Sequence, residues 1–310
     1  MSPSDPEFRF AQLSDLHLPP MPRVGVRDLA GKRLLGYVSW HKRRKYEHRA
    51  EVLEALRADL AVQAPEHIAV TGDLTNLGLS DEFDRAERWL RRLGPPERVT
   101  VVPGNHDAYA ADSDAAMRRA LGRWLRDDRG GGEFPLLHVR RAIAFIGVST
   151  AVSSGLGQAR GRVGRAQLDR LAAQLAATAR QGLTRIVLLH HPPQPDAEGT
   201  RRGLDDAPAL RAIIAAEGAD LILHGHSHTG RYALLKGPHG PVPVYGVASA
   251  SLARSRAGQT GHYRLFRPRG GGGFDVSDRR YDPATGRFVD AGSTVCAAAH
   301  GHPRARAAVK

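Results

Sequence analysis

The chain is nearly without cysteine: Cys296 is the only one in 310 residues. An internal disulfide is therefore excluded, and a reducing compartment fits. No run of about eighteen apolar residues occurs, so no transmembrane helix is expected. Met1 to Phe10 is polar and acidic before it turns apolar. It lacks the charged start and apolar stretch of a signal peptide, and a cytoplasmic location is expected. Lysine is scarce, with five residues among 45 basic ones. The formal charge of +13 is thus carried mainly by arginine, in a chain rich in alanine and glycine. Such a compositional skew does not by itself require a nucleic-acid or membrane partner. The hydrophobic fraction of 41% is ordinary and supports a sizeable core.

Residues 8–13 read as a first strand, and residues 19–46 as an irregular insert rich in proline, glycine and basic residues. Residues 46–63 carry Val52, Leu53, Leu56 and Leu60 at helical spacing. Strands are then expected at 67–71, 99–102, 136–140, 142–148, 185–189 and 220–223, and helices at 80–93, 115–126, 165–179 and 207–217, with Ser80 as an N-cap. The rest reads as antiparallel strands at 231–235, 242–247, 262–267, 274–281 and 287–289, with a hairpin loop at 269–273. Residues 291–310 lack any period and are expected to be a disordered tail. One α/β domain over residues 1–290, with two packed sheets, accommodates both halves.

What the chain does have is a series of metal-seeking side chains, each after a short apolar run. Asp15 and His17 form D-x-H. On a strand, residues i and i+2 share a face, so this pair can grip one ion if the strand persists that far. Asp73 follows Gly72, and Asn105, His106 and Asp107 complete Gly-Asn-His-Asp. His190 and His191 open His-His-Pro-Pro, and His224 precedes Gly225-His226-Ser227-His228. Gly225 permits close backbone approach there. A lone histidine is more often structural than a ligand, and Asp73 alone reads as a turn residue or helix cap. Five such motifs in one order, each where an open α/β sheet presents ligands, are unlike five accidents. Nitrogen and oxygen donors without thiolate suit Mn, Fe, Zn or Co. Two such ions together can hydrolyse a phosphate ester.

In these motifs, from Asp15 to His228, the chain resembles the calcineurin-like metallophosphoesterases. The resemblance implies a four-layer α/β/β/α sandwich of two mixed sheets flanked by helices. It implies two divalent or mixed-valence ions. One would be held by Asp15, His17 and His228, the other by Asn105, His190 and His226, with Asp73 bridging and His106 catalytic beside them. Asp107, His191 and His224 adjoin these positions and are candidates for supporting them. Asp107 would either orient His106 or stabilise its loop. Two divalent ions bring four positive charges against two carboxylates, which suits an anionic phosphate. A bridging water would lose its proton near neutral pH and attack phosphorus in line. A protonated His106 would serve the phosphate or the leaving oxygen.

Neighbouring residues narrow the branch. Asn76 stands where purple acid phosphatases carry a metal-binding tyrosine. Gly72-Asp73-Leu74-Thr75-Asn76 departs from the protein-phosphatase pattern. His106 stands where the pyrophosphohydrolases of lipid A synthesis usually carry arginine. The run is most similar to class III cyclic-nucleotide phosphodiesterases and related glycerophosphodiesterases, so a phosphodiester is the expected substrate.

Residues 23–49 hold nine lysines and arginines, interleaved with Leu34, Leu35, Tyr37, Val38, Trp40 and Tyr46. Next to the first metal motif, this insert is placed to serve as a substrate cap. A solvated basic face is the plain reading. An anionic membrane surface on the inner face of the membrane and a polyanionic or nucleic-acid substrate are the alternatives. They correspond to a membrane-associated pyrophosphohydrolase of a lipid-linked or nucleotide-diphosphate substrate, and to a nucleic-acid-binding protein or nuclease.

Overall fold

Strict alternation along the central strands decides the architecture. In the computed structural model, which describes residues 8–29, 31–195, 197–254 and 258–297, Ile143 and Phe145 enter one core while Ala144 and Ile146 enter another. Ile186 and Leu188 alternate likewise with Val187 and Leu189, and Leu221 and Leu223 with Ile222. A sheet with two apolar faces must be covered on both.

In the first sheet β1 (Phe10–Leu13) runs parallel to β2 (His67–Val70), and β2 parallel to β3 (Val99–Val101). In the second, β4 (Leu136–Arg140) lies antiparallel to β5 (Ile143–Gly147) at one edge. Next to β5, the strands β6 (Thr184–Leu188) and β7 (Leu221–His224) run parallel. The other edge is β8 (Arg231–Gly237), antiparallel to β9 (Gly240–Gly246), and β9 is parallel to β7. The antiparallel run β10 (His262–Pro268), β11 (Phe274–Asp282) and β12 (Arg287–Cys296) completes the first sheet beside β1.

The sheets meet through aromatic rings. Phe10 stacks on Phe266 at 4.9 Å and meets Phe145 edge-on at 5.2 Å. Each buried ring of this size is worth about 1.5–3 kcal/mol. The insert helices α1 (Lys32–Ser39) and α2 (Lys45–Glu47) precede α3 (Ala50–Gln63), α4 (Ser80–Leu93) and α5 (Ser113–Leu121). The last three share the core of the first sheet, while α6 (Arg165–Arg180) and α7 (Ala207–Glu217) pack on the outer face of the second. This is the expected four-layer sandwich.

Four local expectations need correction. The insert is helical rather than irregular: α1 continues through a π-turn at Trp40–Arg44 into α2. Consequently α3 begins at Ala50 and not at residue 46. Ser80 is the first residue of α4 rather than its cap. Leu79 is the cap, and the Glu82 carboxylate reaches back to accept from it (3.1 Å) and from Asn76 (2.8 Å) and Leu77 (2.9 Å) in the preceding loop. The last strand runs to Cys296, past the expected end at 289, because β11 offers it a partner along its length. The expectation for residues 298–310 lies outside the described residues. Among the described residues no helix is long and apolar enough to cross a membrane.

Candidate metal centre

The loops after β1, β2, β3, β6 and β7 deliver the motif side chains to one place. The first strand ends at Leu13, so Asp15 and His17 do not share a strand face as the D-x-H spacing suggested. Their loop is stitched instead to the one after β2. Asp15 N–H donates to Gly72 O, His17 N–H to Asp73 O and Leu18 N–H to Leu74 O, each at 2.9 Å. The turns are sharp. Asp15 (φ 52°), His17 (φ 38°), Asp73 (φ 56°), His226 (φ 66°) and His228 (φ 54°) all adopt left-handed backbone. Among the described non-glycine residues only Ala64 and Arg141 also do so. Such conformations cost on the order of 1–3 kcal/mol each and collect at functional sites. Gly225 is required here, because a Cβ would meet Ser14 Oγ and Asp15 Oδ2.

The side chains fall into two sets around Asp73. In the first, His17 Nε2 lies 3.3 Å from His228 Nε2, and His228 Nε2 lies 3.1 Å from Asp15 Oδ1. In the second, Asn105 Oδ1 lies 3.1 Å from His190 Nε2 and 2.9 Å from His226 Nδ1. Asp73 joins the sets: its Oδ2 is 3.8 Å from His17 Nε2 and 3.4 Å from His190 Nε2, while its Oδ1 accepts the His106 backbone N–H at 2.7 Å.

The tautomers show what this arrangement wants. His17 Nδ1–H donates to Thr75 O (2.9 Å) and His190 Nδ1–H to Thr71 O (2.7 Å). Each Nε2 is thereby aimed into the centre, that of His17 as a lone pair and that of His190 toward the Asp73 and Asn105 oxygens, where a metal ion would displace its proton. Asp15 Oδ1 is buried with no hydrogen bond despite the short approach of His228, and His226 Nε2 is also unsatisfied. Buried acceptors facing one another without donors are costly, and cations between them remove the cost. The donor set fits two metal ions, one among Asp15, His17, Asp73 and His228, the other among Asp73, Asn105, His190 and His226. In the metal-free chain, burial would lower His190, but Asp73 and Asp15 outweigh it and raise the group to about 9. Burial, reinforced by His48, His106 and Arg44, holds His17 well below the usual imidazole value.

His106 stands beside the centre. Its Nδ1–H donates to Asn76 O at 2.6 Å, which leaves Nε2 as the free ring nitrogen. Burial, then Arg44, lower it to about 3 against the pull of Asp73, so the imidazole is neutral here. The hydrogen bonds of the Asp107 side chain go to backbone N–H groups and the Thr75 hydroxyl rather than to the His106 ring. Its carboxylate accepts from Gly104 N (2.9 Å), Leu74 N (3.2 Å) and Thr75 N (3.0 Å), which ties the Asp73 loop to the Asn105 loop. Of its two expected roles, this is the loop-stabilising one. His191 accepts from Thr150 Oγ1 (2.8 Å) and points toward Ala159 O (3.2 Å). His224 bonds Gly225 O (2.9 Å) and approaches Gln194 Nε2 (3.3 Å). Both are fully buried, and the His191 ring packs 4.4 Å from that of His226 and 5.1 Å from that of His190.

Side chains not singled out from the sequence as site residues also reach the centre. A cavity of about 630 Å³ opens above the two ligand sets, and the insert forms one wall of it through Lys32, Leu35, Gly36, Ser39, Arg43 and Arg44. His48 bonds Ser251 Oγ at 2.8 Å and packs its ring 4.8 Å from that of His17. With His17 and His228 it forms a further group able to hold a metal ion. Arg44 Nη1 stands 3.2 Å from His106 Nδ1. Both short motifs and helical periodicity are blind to such residues, because they enter the site only when the insert folds back.

Two sheets, their parallel strand ends and two nitrogen–oxygen donor sets define a dinuclear phosphoester hydrolase class. The calcineurin-like phosphoesterase profile matches residues 8–230, and the chain belongs to that family. No curated protein matches the sequence. Among solved structures, the chain is similar to a dimetal phosphatase from Danio rerio (13% identity, TM-score 0.62, 92% of this chain and 99% of the other). It is also similar to a purple acid phosphatase from yellow lupin (13% identity, TM-score 0.57), covering 93% of this chain and 53% of the lupin chain. At these identities the likeness is one of fold.

Proposed function

We propose that the chain hydrolyses phosphodiesters. The observation that supports this reading is the room in the cavity. Its volume of about 630 Å³ is lined by Asp73, Asn105, His106, His226 and His228, by the insert, and by residues 157–159 and Leu252. The insert touches that last side through Lys32–Ser154 and His48–Leu252. A space of that size beside Asp73 can hold a second ester substituent, which a monoester does not need. The resemblance to class III cyclic-nucleotide phosphodiesterases supports the same reading.

Two bound ions supply Lewis-acid stabilisation of the phosphoryl oxygens and lower the pKa of a water. The protein does the rest. Asp73 sets the spacing of the two sets, and the Asp107 carboxylate fixes the loops that carry Asp73 and Asn105. His106, neutral and held through Nδ1–H, offers Nε2. An anionic phosphoryl group beside Nε2 favours its protonation, and that proton goes to the leaving oxygen.

The test is a metal-reconstituted screen over cyclic nucleotides, bis(p-nitrophenyl) phosphate, p-nitrophenyl phosphate and nucleic acids. Diesters are expected to exceed the monoester in kcat/KM; the reverse order would overturn the reading. His106→Ala should retain both metals by elemental analysis and lose about 100- to 10,000-fold in kcat. Loss of metal instead would make His106 a ligand.

A further inference from the structure

Among the described residues four lysine and arginine side chains line the cavity, and two of them are already neutralised. Arg43 Nε lies 3.1 and 3.0 Å from the two carboxylate oxygens of Glu47. Arg202 donates to His226 O at 3.0 Å and pairs with Glu198 at 3.6 Å. Lys32 and Arg44 differ. Lys32 Nζ bonds a hydroxyl, Ser154 Oγ at 2.9 Å, and stands 4.7 Å from the centre of the Tyr109 ring. The close polar neighbour of Arg44 is His106 Nδ1, whose proton is already committed to Asn76 O, so the guanidinium has no acceptor there. The carboxylate whose charge both cations feel is Asp73, in the metal centre itself. Burial lowers the pKa of each, the expected cost of a charge drawn from water without a counter-ion.

These cations are held in place. The buried Arg33 anchors the insert to Leu77 O (3.1 Å), Gly78 O (3.0 Å) and both oxygens of Asp112 (3.0 and 2.7 Å). Gly36 lets α1 lie directly on Tyr109, where a Cβ would strike the phenol oxygen. His48 bridges to Leu252 at the far end. The heads of Lys32 and Arg44 both act on Tyr109, whose ring stacks on His106 at 5.3 Å. They therefore lie on the His106 side, where the leaving oxygen is served.

We propose that Lys32 and Arg44 form a second anion subsite beside the metal centre, which takes a phosphoryl group on the leaving arm of the substrate. This rests on the phosphodiesterase reading and narrows it to a diphosphate diester. The oxygen of water bonds to the phosphorus over Asp73. The bond from that phosphorus to the bridging oxygen breaks, and the bridging oxygen leaves with the electron pair on the second phosphoryl group. The products are two phosphomonoesters, with the protons of water released to solvent.

The test compares diadenosine diphosphate with bis(p-nitrophenyl) phosphate, using the metal-loaded parent, Arg44→Gln, Arg44→Lys and Lys32→Gln, each with its metal content measured. Arg44→Gln and Lys32→Gln are expected to raise KM for the diphosphate about 10- to 100-fold, as loss of a charge-assisted bond does. That loss should exceed the loss on the single-phosphate ester by at least about tenfold, and Arg44→Lys should recover part of it. Equal loss on both substrates would make Arg44 a positioning residue for His106 and overturn the subsite, as would no loss at all. Calorimetric binding of pyrophosphate to chelator-treated protein provides an independent readout, expected to weaken in Arg44→Gln. If the parent hydrolyses neither ester with any divalent metal, the phosphodiesterase reading falls. Pyrophosphate binding still decides the subsite, since equal affinity in parent and variant overturns it.

Discussion

His67 and His138 are as deeply buried as His17 and His190, yet the two pairs are built on opposite rules. His138 Nε2–H donates to Arg126 O (2.7 Å), so its Nδ1 must accept, and Thr100 Oγ1 donates to it (2.7 Å). Thr100 Oγ1 is then free to accept from His67 Nε2–H (2.9 Å). Donor meets acceptor along the whole chain, and only His67 Nδ1 lacks a partner. At the metal centre several ring nitrogens and oxygens crowd together instead: His17 Nε2 faces His228 Nε2, and Asn105 Oδ1 faces both His190 Nε2 and His226 Nδ1. Burial of imidazole therefore does not mark a site. Ring nitrogens and oxygens converging in this way do, because only a cation or a proton settles them.

The largest expected effect removes the point where the two ligand sets join. Asp73→Ala should lose both metals by elemental analysis and lower phosphoester turnover by more than about 100-fold, the upper range for removing a mere supporting residue. A variant that kept two metals and its activity would show that Asp73 does not join the sets. Next, Thr100→Val breaks the neutral chain without changing shape. It leaves His138 Nδ1 and His67 Nε2–H unmatched, and should cost about 1–3 kcal/mol in urea unfolding. Its metal content should equal the parent's, and a loss of metal would mean that the two regions are coupled.

How much of this contrast was legible beforehand depends on the distance a signal must travel. Asp15, Asp73, Asn105, His190 and His226 each follow an apolar strand within a few residues, so local pattern placed them at strand exits. The D-x-H spacing implies a shared strand face, which the structure does not have. The strand stops at Leu13, and left-handed turns at Asp15 and His17 do the aiming. The insert reads as irregular from sequence because it is rich in proline, glycine and basic residues. Gly36 in fact serves the contact of α1 with Tyr109. Arg44 and His48 were out of reach, since Arg44 meets His106 across 62 residues and His48 meets Ser251 across 203. His67, Thr100 and His138 sit on three different strands, and their register could not be read from period alone.

The last expected effect separates the two regions by sign. Burial, above all, lowers His67 and His138 from the usual 6.5. In the metal-free protein His190 moves the other way, to about 9, because Asp73 and Asp15 outweigh burial. Below the unfolded value the unfolded chain binds the protons that folded His67 and His138 refuse. Their contribution to stability is thus complete above pH 6.5 and declines as the pH falls from there. His190 binds its proton more tightly when folded, so its contribution is complete below 6.5 and is lost as the pH rises toward about 9. Each pKa unit of difference is worth about 1.4 kcal/mol at most. Urea midpoints of chelator-treated protein across this pH range should therefore fall on both sides of a maximum near the ordinary imidazole value. His190→Asn should flatten the alkaline fall and leave the acid fall in place. An alkaline fall unchanged by that substitution would show that the Asp73–His190 contact does not hold a proton in the empty centre.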